Sequence, residues 1–267
     1  MLDTLLLETA QESALNIKKF LSDSFYENKN HVFTFDEPTH TYTLDGLSMT
    51  SATTFVSRFH EEFNTKYWSE RKAFERGVPV SEILEEWSVK NKRSLDIGSP
   101  THEYIENYYN TIWQPIPEDP DVLDRAIKFM RIYSTHLYKM VPVCFEQRVF
   151  HKKWRIAGTF DALFLYNNKL FIFDWKTNKE FTTDSSKKFN NLFYPFDKYY
   201  ENHLNEYSIQ LSLYGAILKD ILGIDITAMY LCHIGPDRPA VIHKCIDFRD
   251  LLTDYLNSDT YQKTLID

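Results

Sequence analysis

The chain has 267 residues, a formal net charge of −8 and a hydrophobic fraction of 43%, which suits one medium-sized globular domain. It holds only 7 glycines and neither a GxGxxG nor a GxxxxGK[ST] pattern, so a glycine-rich phosphate loop is excluded. The negative charge does not indicate a broadly basic nucleic-acid surface, but it is compatible with a local basic groove beside carboxylates that hold a metal ion.

The amino-terminal segment predicts an amphipathic helix over residues 2–26 and no export signal. Acidic residues interrupt the region where a signal peptide would be basic and then apolar: Asp3, Glu8 and Glu12. No apolar run approaches the length of a membrane span. We therefore expect a cytoplasmic protein that does not associate with a membrane.

The next segment predicts a hairpin followed by helices. Residues 31–51 alternate apolar and polar side chains around an Asp45-Gly46 turn signal. Ser51 is a plausible N-cap for the helix that follows, and helical periodicity returns until Gly77 ends it. Two further helical segments are separated by the proline-rich stretch QPIPEDP: residues 81–110 and 121–139.

The second half changes to the period of two that is typical of strands. Three successive strands are predicted, with Asn167-Asn168 as a tight connection between the last two: residues 143–153, 155–166 and 169–177. An aperiodic aromatic segment follows, long enough for a functional loop or lid. A helix over 207–223, strands over 226–235 and 239–247 and a closing helix over 248–265 complete the chain. This order predicts an α/β sandwich around one mixed sheet.

Asp161, Asp174 and Lys176 are the first candidates for chemistry. Asp174 and Lys176 occupy alternate positions of one strand and share a face, with Trp175 on the other face. Asp161 lies across the predicted hairpin, so the two carboxylates can meet at one edge of the sheet. With a main-chain carbonyl and water they would form an oxygen-rich site for Mg²⁺ or Mn²⁺. A surface ion pair explains Asp174 and Lys176 equally well, but it leaves Asp161 unexplained.

The pattern Asp161-(x)12-Asp174-x-Lys176, preceded by Gly158-Thr159, resembles the core of the PD-(D/E)xK nuclease superfamily. The GTFD…FDWKT form resembles its RecB-like exonuclease branch, and segments between roughly residues 31 and 255, among them HTYTLDG, EILEEW and PFDKYYENHLNE, resemble stand-alone bacteriophage-type nucleases of that branch. The resemblance implies one restriction-endonuclease-like α/β domain over residues 1–267, with a central mixed sheet flanked by helices. Residues 96–257 would form the catalytic core, and residues 1–95 an amino-terminal helical and hairpin extension.

Two further motifs of that branch have counterparts on predicted helices. Gly98, His102 and Glu106 match a Gly-x-x-x-His-x-x-x-Glu-like helix whose histidine binds metal in the family, and Glu106 would either orient His102 or pair on the surface. Gln210 and Tyr214 match the Gln-x-x-x-Tyr motif, and their spacing of four places them on one helical face. There they would position Lys176, a water molecule or the DNA backbone.

Two features near these motifs keep alternative interpretations. Glu146 is either a supporting ligand or base, or a surface partner of Arg148 or Lys153. The aromatic residues of segment 181–200 either stack on or gate single-stranded DNA, or pack as an ordinary excursion of the chain. They are Phe189, Phe193, Tyr194, Phe196, Tyr199 and Tyr200.

The resemblance implies a metal-dependent DNA exonuclease that acts on a DNA end. His102, Asp161, Asp174 and the main chain at Trp175 would bind one or two Mg²⁺ or Mn²⁺ ions, and Lys176 would stabilise the attacking water or the charge developing at the phosphate. Gln210 and Tyr214 would support catalysis. The alternatives are an endonuclease or structure-specific nuclease on the same core, or a non-catalytic nucleic-acid-binding module.

The same resemblance sets expectations for cofactors and partners. An iron–sulfur cluster is not expected, because the branch that carries one needs four cysteines and this chain has three without suitable spacing. The expected partner is DNA that is single-stranded or contains an end. A single-strand-binding or recombination protein and an oligomeric assembly are compatible with the sequence.

Overall fold

The computed structural model describes residues 2–26, 30–37, 39–183 and 190–265. Phe189, one of the predicted stacking residues, lies outside them. The helices are α1 (Leu2–Phe25), α2 (Ala52–Val56), α3 (Thr65–Arg76), α4 (Val80–Tyr109), α5 (Pro120–Ile132), α6 (His203–Leu222), α7 (Arg249–Asn257) and α8 (Asp259–Lys263). The strands are β1 (Phe33–Asp36), β2 (Thr41–Leu44), β3 (Leu47–Ser51), β4 (Val141–His151), β5 (Ile156–Tyr166), β6 (Lys169–Lys176), β7 (Ile226–His233) and β8 (Val241–Lys244).

Local caps and turns explain where several of these elements begin and end. The Ser51 side chain accepts a hydrogen bond from the backbone N–H of Thr54 and starts α2. Gly77 ends α3 in the left-handed conformation with φ +67°. Asn167 and Asn168 both have positive φ, the geometry of a tight turn between antiparallel strands. These boundaries agree with the sequence analysis.

The predicted closing helix differs from the structure. It is divided into α7 and α8 at Ser258, whose backbone is extended and whose hydroxyl accepts a hydrogen bond from the N–H of Tyr261. A serine that caps a new helix also interrupts the preceding one, so two short helices replace the single long one.

One eight-stranded mixed sheet organises the fold, in the order β1-β2-β3-β5-β6-β7-β8, with β4 paired to β5 outside this path. The β3–β5 and β6–β7 pairs are parallel, and the remaining pairs are antiparallel. Helices cover the sheet, which confirms the predicted α/β class with a central mixed sheet flanked by helices. This is the arrangement expected of a restriction-endonuclease-like core. No described helix is both long and apolar enough to cross a membrane.

The neighbour of β5 changes partway along one of its edges. Ile156 and Ala157 pair with β3, whereas the residues from Ala162 to Tyr166 pair with β6. Among the described residues, positions 158–160 therefore have a strand partner only on the β4 side, and Asp161 has no partner in the register of either β4 or β6. Strands β5 and β6 separate after Phe173 of β6, which leaves a gap in the sheet beside Asp161.

Alternation along the strands separates two apolar layers. One layer contains Leu163 of β5 with Ile209 and Leu213 of α6. The other contains Trp175 of β6 with Phe129 of α5, whose ring centroids are 5.9 Å apart. Because side chains alternate across a strand, Asp174 and Lys176 lie on the face opposite Trp175, as the sequence predicts, and this face is the one that α6 covers. The gap in the sheet is where groups from the two layers can meet.

Candidate active site

Helix α4 brings His102 to the gap beside Asp161. The Nδ1 atom of His102 lies 3.4 Å from an Asp161 carboxylate oxygen. Gly98, one turn earlier, permits this approach, because a Cβ atom there would lie 3.3 Å from Oγ1 of Thr177. The Gly-x-x-x-His pattern thus has a packing reason: the glycine lets the helix approach the end of β6, and the histidine four residues later points to the same place.

Where β5 and β6 separate, the Asp161 side chain accepts a hydrogen bond from the β6 backbone in place of a β5 carbonyl. The register of β5 and β6 ends at Ala162 and Phe173, and the backbone N–H of Trp175 donates instead to the Asp161 carboxylate over 2.7 Å. Burial and the nearby Asp174 charge raise the pKa of Asp161 to about 6, although His102 and Lys176 oppose the shift. The Asp161 and Asp174 carboxylates therefore place negative charge close together, and a bound cation would stabilise it.

Glu146 joins this pair from the neighbouring strand β4. One ligand atom from each of His102, Glu146 and Asp161 lies within 4.8 Å of the others. Glu146 as a residue is exposed, but burial of its carboxyl group and the Asp161 charge raise its pKa to about 8. Of its two predicted surface partners, Lys153 instead donates to Asn257.

Lys176 and Asp174 form a buried ion pair beside this cluster. Lys176 Nζ lies 2.7 Å from Asp174 Oδ2, and the side chains are 19% and 3% exposed. Burial lowers the pKa of Lys176, but the Asp174 and Asp161 charges raise it more, so the amine is protonated at neutral pH. Apart from this ion-pair contact, the described residues give the buried Asp174 Oδ2 no hydrogen-bond partner.

These groups fit a hard divalent cation. Carboxylate oxygens with one imidazole nitrogen suit Mg²⁺ or Mn²⁺, and the buried Asp174 oxygen can accept a further ligand. The observed contact of the Trp175 backbone with the cluster is through its N–H, and ligation by its carbonyl stays a prediction. Glu106, at the next turn of α4, is 3.5 Å from the side-chain amide of Asn110, and its charge acts on Glu146.

Gln210 and Tyr214 lie together on the buried face of α6. The Gln210 amide donates to the Tyr214 hydroxyl over 3.1 Å, which is the contact expected of a four-residue spacing. Tyr214 is 2% exposed, and a Cβ atom on Gly158 would lie 2.7 Å from its ring and 2.8 Å from its hydroxyl. The glycine of the GTFD segment therefore makes room for the tyrosine of the helix motif.

Replacing Gly158 by alanine is expected to lower the free energy of unfolding by about 1–3 kcal/mol, because the added methyl group overpacks this contact. The same change in a Tyr214→Leu background should cost clearly less. Chemical denaturation of the wild type, both single variants and the double variant forms the required cycle. Equal costs in the two backgrounds would contradict the contact.

Tyr207 is a site residue that the sequence analysis missed. Lys176 Nζ lies 4.3 Å from the centroid of the Tyr207 ring, within the range of a cation–π contact. The available signal was its position three residues before Gln210, which places it on the same face of α6. Gln210 donates to Tyr214, and its predicted role in positioning Lys176 stays a prediction.

The aromatic segment after β6 divides into packed and exposed residues. Phe196 is fully buried and packs edge-on against Phe59, and Tyr199 packs against Phe248 with centroids 4.7 Å apart. Stacking on DNA is therefore wrong for Phe196, because its ring is used in the core, whereas for the partly buried Tyr199 it stays a prediction. Phe193 and Tyr194 are 46% and 71% exposed and are accessible to a substrate.

A groove of about 730 Å³ lies beside the site, and we call it the α4 groove. One wall is the part of α4 that includes Arg93 and Ile97, and the other begins at Thr177, directly after Lys176. The groove reaches Thr177, but neither Lys176 nor the proposed metal ligands line it. Its charge is mixed, since Glu86 and Asp121 also line it.

Comparison with known proteins finds distant structural similarity and no sequence family. No protein-family model matches the chain, and no curated protein matches it. The chain is similar to a solved structure described as "Putative exonuclease" from Eubacterium rectale, with 10% identity, a TM-score of 0.40 and coverage of 65% of this chain and 69% of that chain. It is also similar to the structure of SSO0001, with 14% identity, a TM-score of 0.25 and coverage of 60% and 72%.

At these values the similarities carry no argument about activity. The fold and the site together define an α/β protein with a candidate divalent-metal centre at a gap in its central sheet.

Proposed function

We propose that the protein is a divalent-metal-dependent nuclease of the PD-(D/E)xK type that hydrolyses phosphodiester bonds in DNA. The observation that carries the proposal is the convergence of His102, Glu146 and Asp161 within 4.8 Å beside the buried Asp174–Lys176 pair. A structural ion pair would need only the last two residues. The added imidazole and carboxylates come from three separate elements, and the Asp161 carboxylate, whose side chain is 12% exposed, is costly to bury without a cation.

Each residue has a role in this proposal. His102, Asp161, Asp174 and Glu146 would hold the cation, which when bound polarises the scissile phosphate and lowers the pKa of bound water. Lys176, which is protonated, would stabilise the negative charge that develops at the phosphate.

Gln210 and Tyr214 would act at one remove from the phosphate. Both are buried, at 8% and 2% exposure, and they contact each other. Their role in the proposal is to keep α6 packed against β5 at Gly158. This packing would maintain the distance between the carboxylates of Asp161 on β5 and Asp174 on β6. The RecB-like, bacteriophage-type assignment rests on the sequence motifs.

Within this proposal we favour cleavage from a DNA end, because the order of the motifs resembles that of the RecB-like exonuclease branch. An endonuclease is the second candidate, and one observation favours it: the α4 groove, which reaches Thr177 next to Lys176 in the chain, is open to solvent, so a substrate lying in it would not have to enter by its end.

The test is a cleavage assay on 5′- and 3′-labelled linear DNA, single- and double-stranded, and on a supercoiled circle, with Mg²⁺, Mn²⁺ or EDTA. We expect metal-dependent shortening of the linear DNA and no nicking of the circle. Nicking of the circle would select the endonuclease. DNA binding without cleavage in either metal would overturn the nuclease proposal and leave the non-catalytic module.

A further inference from the structure

Among the described residues, two side chains contact the Lys176 ammonium, and only one of them belongs to the candidate metal centre. Its ammonium lies 2.7 Å from Asp174 and 4.3 Å from the centre of the Tyr207 ring. In the proposed function the Asp174 carboxylate also binds the metal ion. The ring is then the partner that does not compete for the ion.

Tyr207 is itself held in a layer of parallel rings. Its ring lies 6.0 Å from that of His203, with an interplanar angle of 18°, and 6.1 Å from that of Phe181, with an angle of 27°. His203 is anchored in turn, because its Nδ1 accepts a hydrogen bond from the backbone N–H of Thr182. The Tyr207 face is therefore fixed by α6 on one side and by the segment after β6 on the other.

The phenol of Tyr207 is not needed as a charged group. Burial raises the pKa of Tyr207, and although Lys176 opposes the shift, the side chain is neutral at pH 7. The face of a neutral aromatic ring attracts an ammonium through its quadrupole, and more strongly where water is excluded. Phenylalanine offers the same face, and leucine does not.

We propose that Tyr207 is a positioning residue that holds the Lys176 ammonium beside the candidate metal centre. The inference rests on the proposed nuclease function and extends it to a residue outside the recognised motifs. A long lysine side chain loses rotamer entropy when it is ordered, and a fixed ring that orients the side chain in advance reduces that loss during the reaction.

The kinetic test compares Tyr207→Leu with Tyr207→Phe. We expect kcat of the leucine variant to fall by about tenfold or more, the effect of one partly desolvated cation–π contact, with a smaller change in KM. The phenylalanine variant should stay within about twofold of the wild type, since the ring face remains. Replacement by 3,4,5-trifluorophenylalanine, which keeps the shape of the ring but weakens its quadrupole, should lower kcat without unfolding the protein.

The second readout does not require cleavage. In metal-free protein with ¹³C-labelled lysine, the Lys176 ε-methylene signal, assigned with Lys176→Arg, should show an upfield ring-current shift. The shift should persist in Tyr207→Phe and disappear in Tyr207→Leu. This measurement decides the contact even if the nuclease proposal fails, so the two failures are distinguishable.

Tyr138→Leu is the matched control. Tyr138 is 52% exposed and has Lys139 over its ring at 5.4 Å, so this variant removes a surface contact of the same kind. It should leave kcat unchanged. Full activity of the trifluorophenylalanine and leucine variants, or an ε-methylene shift that survives in Tyr207→Leu, would overturn the proposal.

Discussion

Replacement of Asp161 by asparagine is expected to reduce metal-dependent DNA cleavage by more than about a hundredfold. Asp161 lies 3.4 Å from His102. In the described part of the chain, it belongs to the only group of three or more His, Cys, Asp or Glu residues that could hold a metal ion. Residues that merely support metal ligands already cost about 10- to 100-fold when they are removed, and a carboxylate that binds the ion directly should cost more. The measurement is the initial rate of cleavage of labelled DNA at saturating Mg²⁺ or Mn²⁺.

The control for this prediction is Asp254→Asn. Asp254 is an exposed residue of α7, so the change removes one acidic charge without touching the site. Its cleavage rate should equal that of the wild type. If Asp161→Asn cleaves DNA at a rate close to that of the control, the cluster is not the catalytic centre.

The same Asp161→Asn variant is expected to be more stable than the wild type in the absence of metal. The pKa of Asp161 is about 6 in the folded protein, against an ordinary 3.8, so ionisation of this group opposes folding. With about 1.4 kcal/mol for each pKa unit, the free energy of unfolding should rise by about 2–3 kcal/mol at pH 7. The group is 12% exposed, and the Trp175 N–H retains an acceptor in the asparagine amide oxygen.

Because the pKa of Asp161 is raised in the folded state, the stability of the wild type should depend on pH. Below the unfolded pKa of 3.8 both states are protonated and the wild type keeps its full stability. As the pH rises toward about 6, the unfolded state releases its proton first, so the wild type loses stability. The advantage of Asp161→Asn should therefore grow between these pH values and level off above them. Denaturant unfolding in EDTA measures it, and an advantage that shrinks with rising pH would contradict the prediction.

Activity and stability are thus expected to change in opposite directions at one residue. Loss of cleavage in a variant that is more stable cannot be attributed to unfolding. Added Mn²⁺ should stabilise the wild type through binding to the folded state, and it should stabilise Asp161→Asn much less.

Much of the fold follows from signals within a few residues of one another. The caps at Ser51 and Gly77 and the Asn167-Asn168 turn are local, and so is the alternation that buries Trp175 opposite Asp174 and Lys176. The closing helix was one exception, because a serine N-cap at Ser258 competes with the helical periodicity around it. Residues 31–51 were another, because they hold three antiparallel strands and not the two of a hairpin.

The candidate site was only partly accessible to such reasoning. Motif spacing identified His102, Asp161, Asp174 and Lys176 as a set, and the structure brings His102 to Asp161 and Asp174 to Lys176. Glu146 was left between two interpretations, because a strand position alone does not reveal which neighbouring residue it meets.

The sequence by itself determined the order of the elements, the side of β6 that carries Asp174 and Lys176, and the helical faces of His102 and Gln210. Each of these depends on the fixed periods of helices and strands. Only the tertiary structure decided that β6 leaves β5 at Asp161, that Glu146 joins the cluster, and that Tyr207 lies under the Lys176 ammonium. These contacts join residues far apart in the chain, and their distances depend on how the layers pack, which no local period contains.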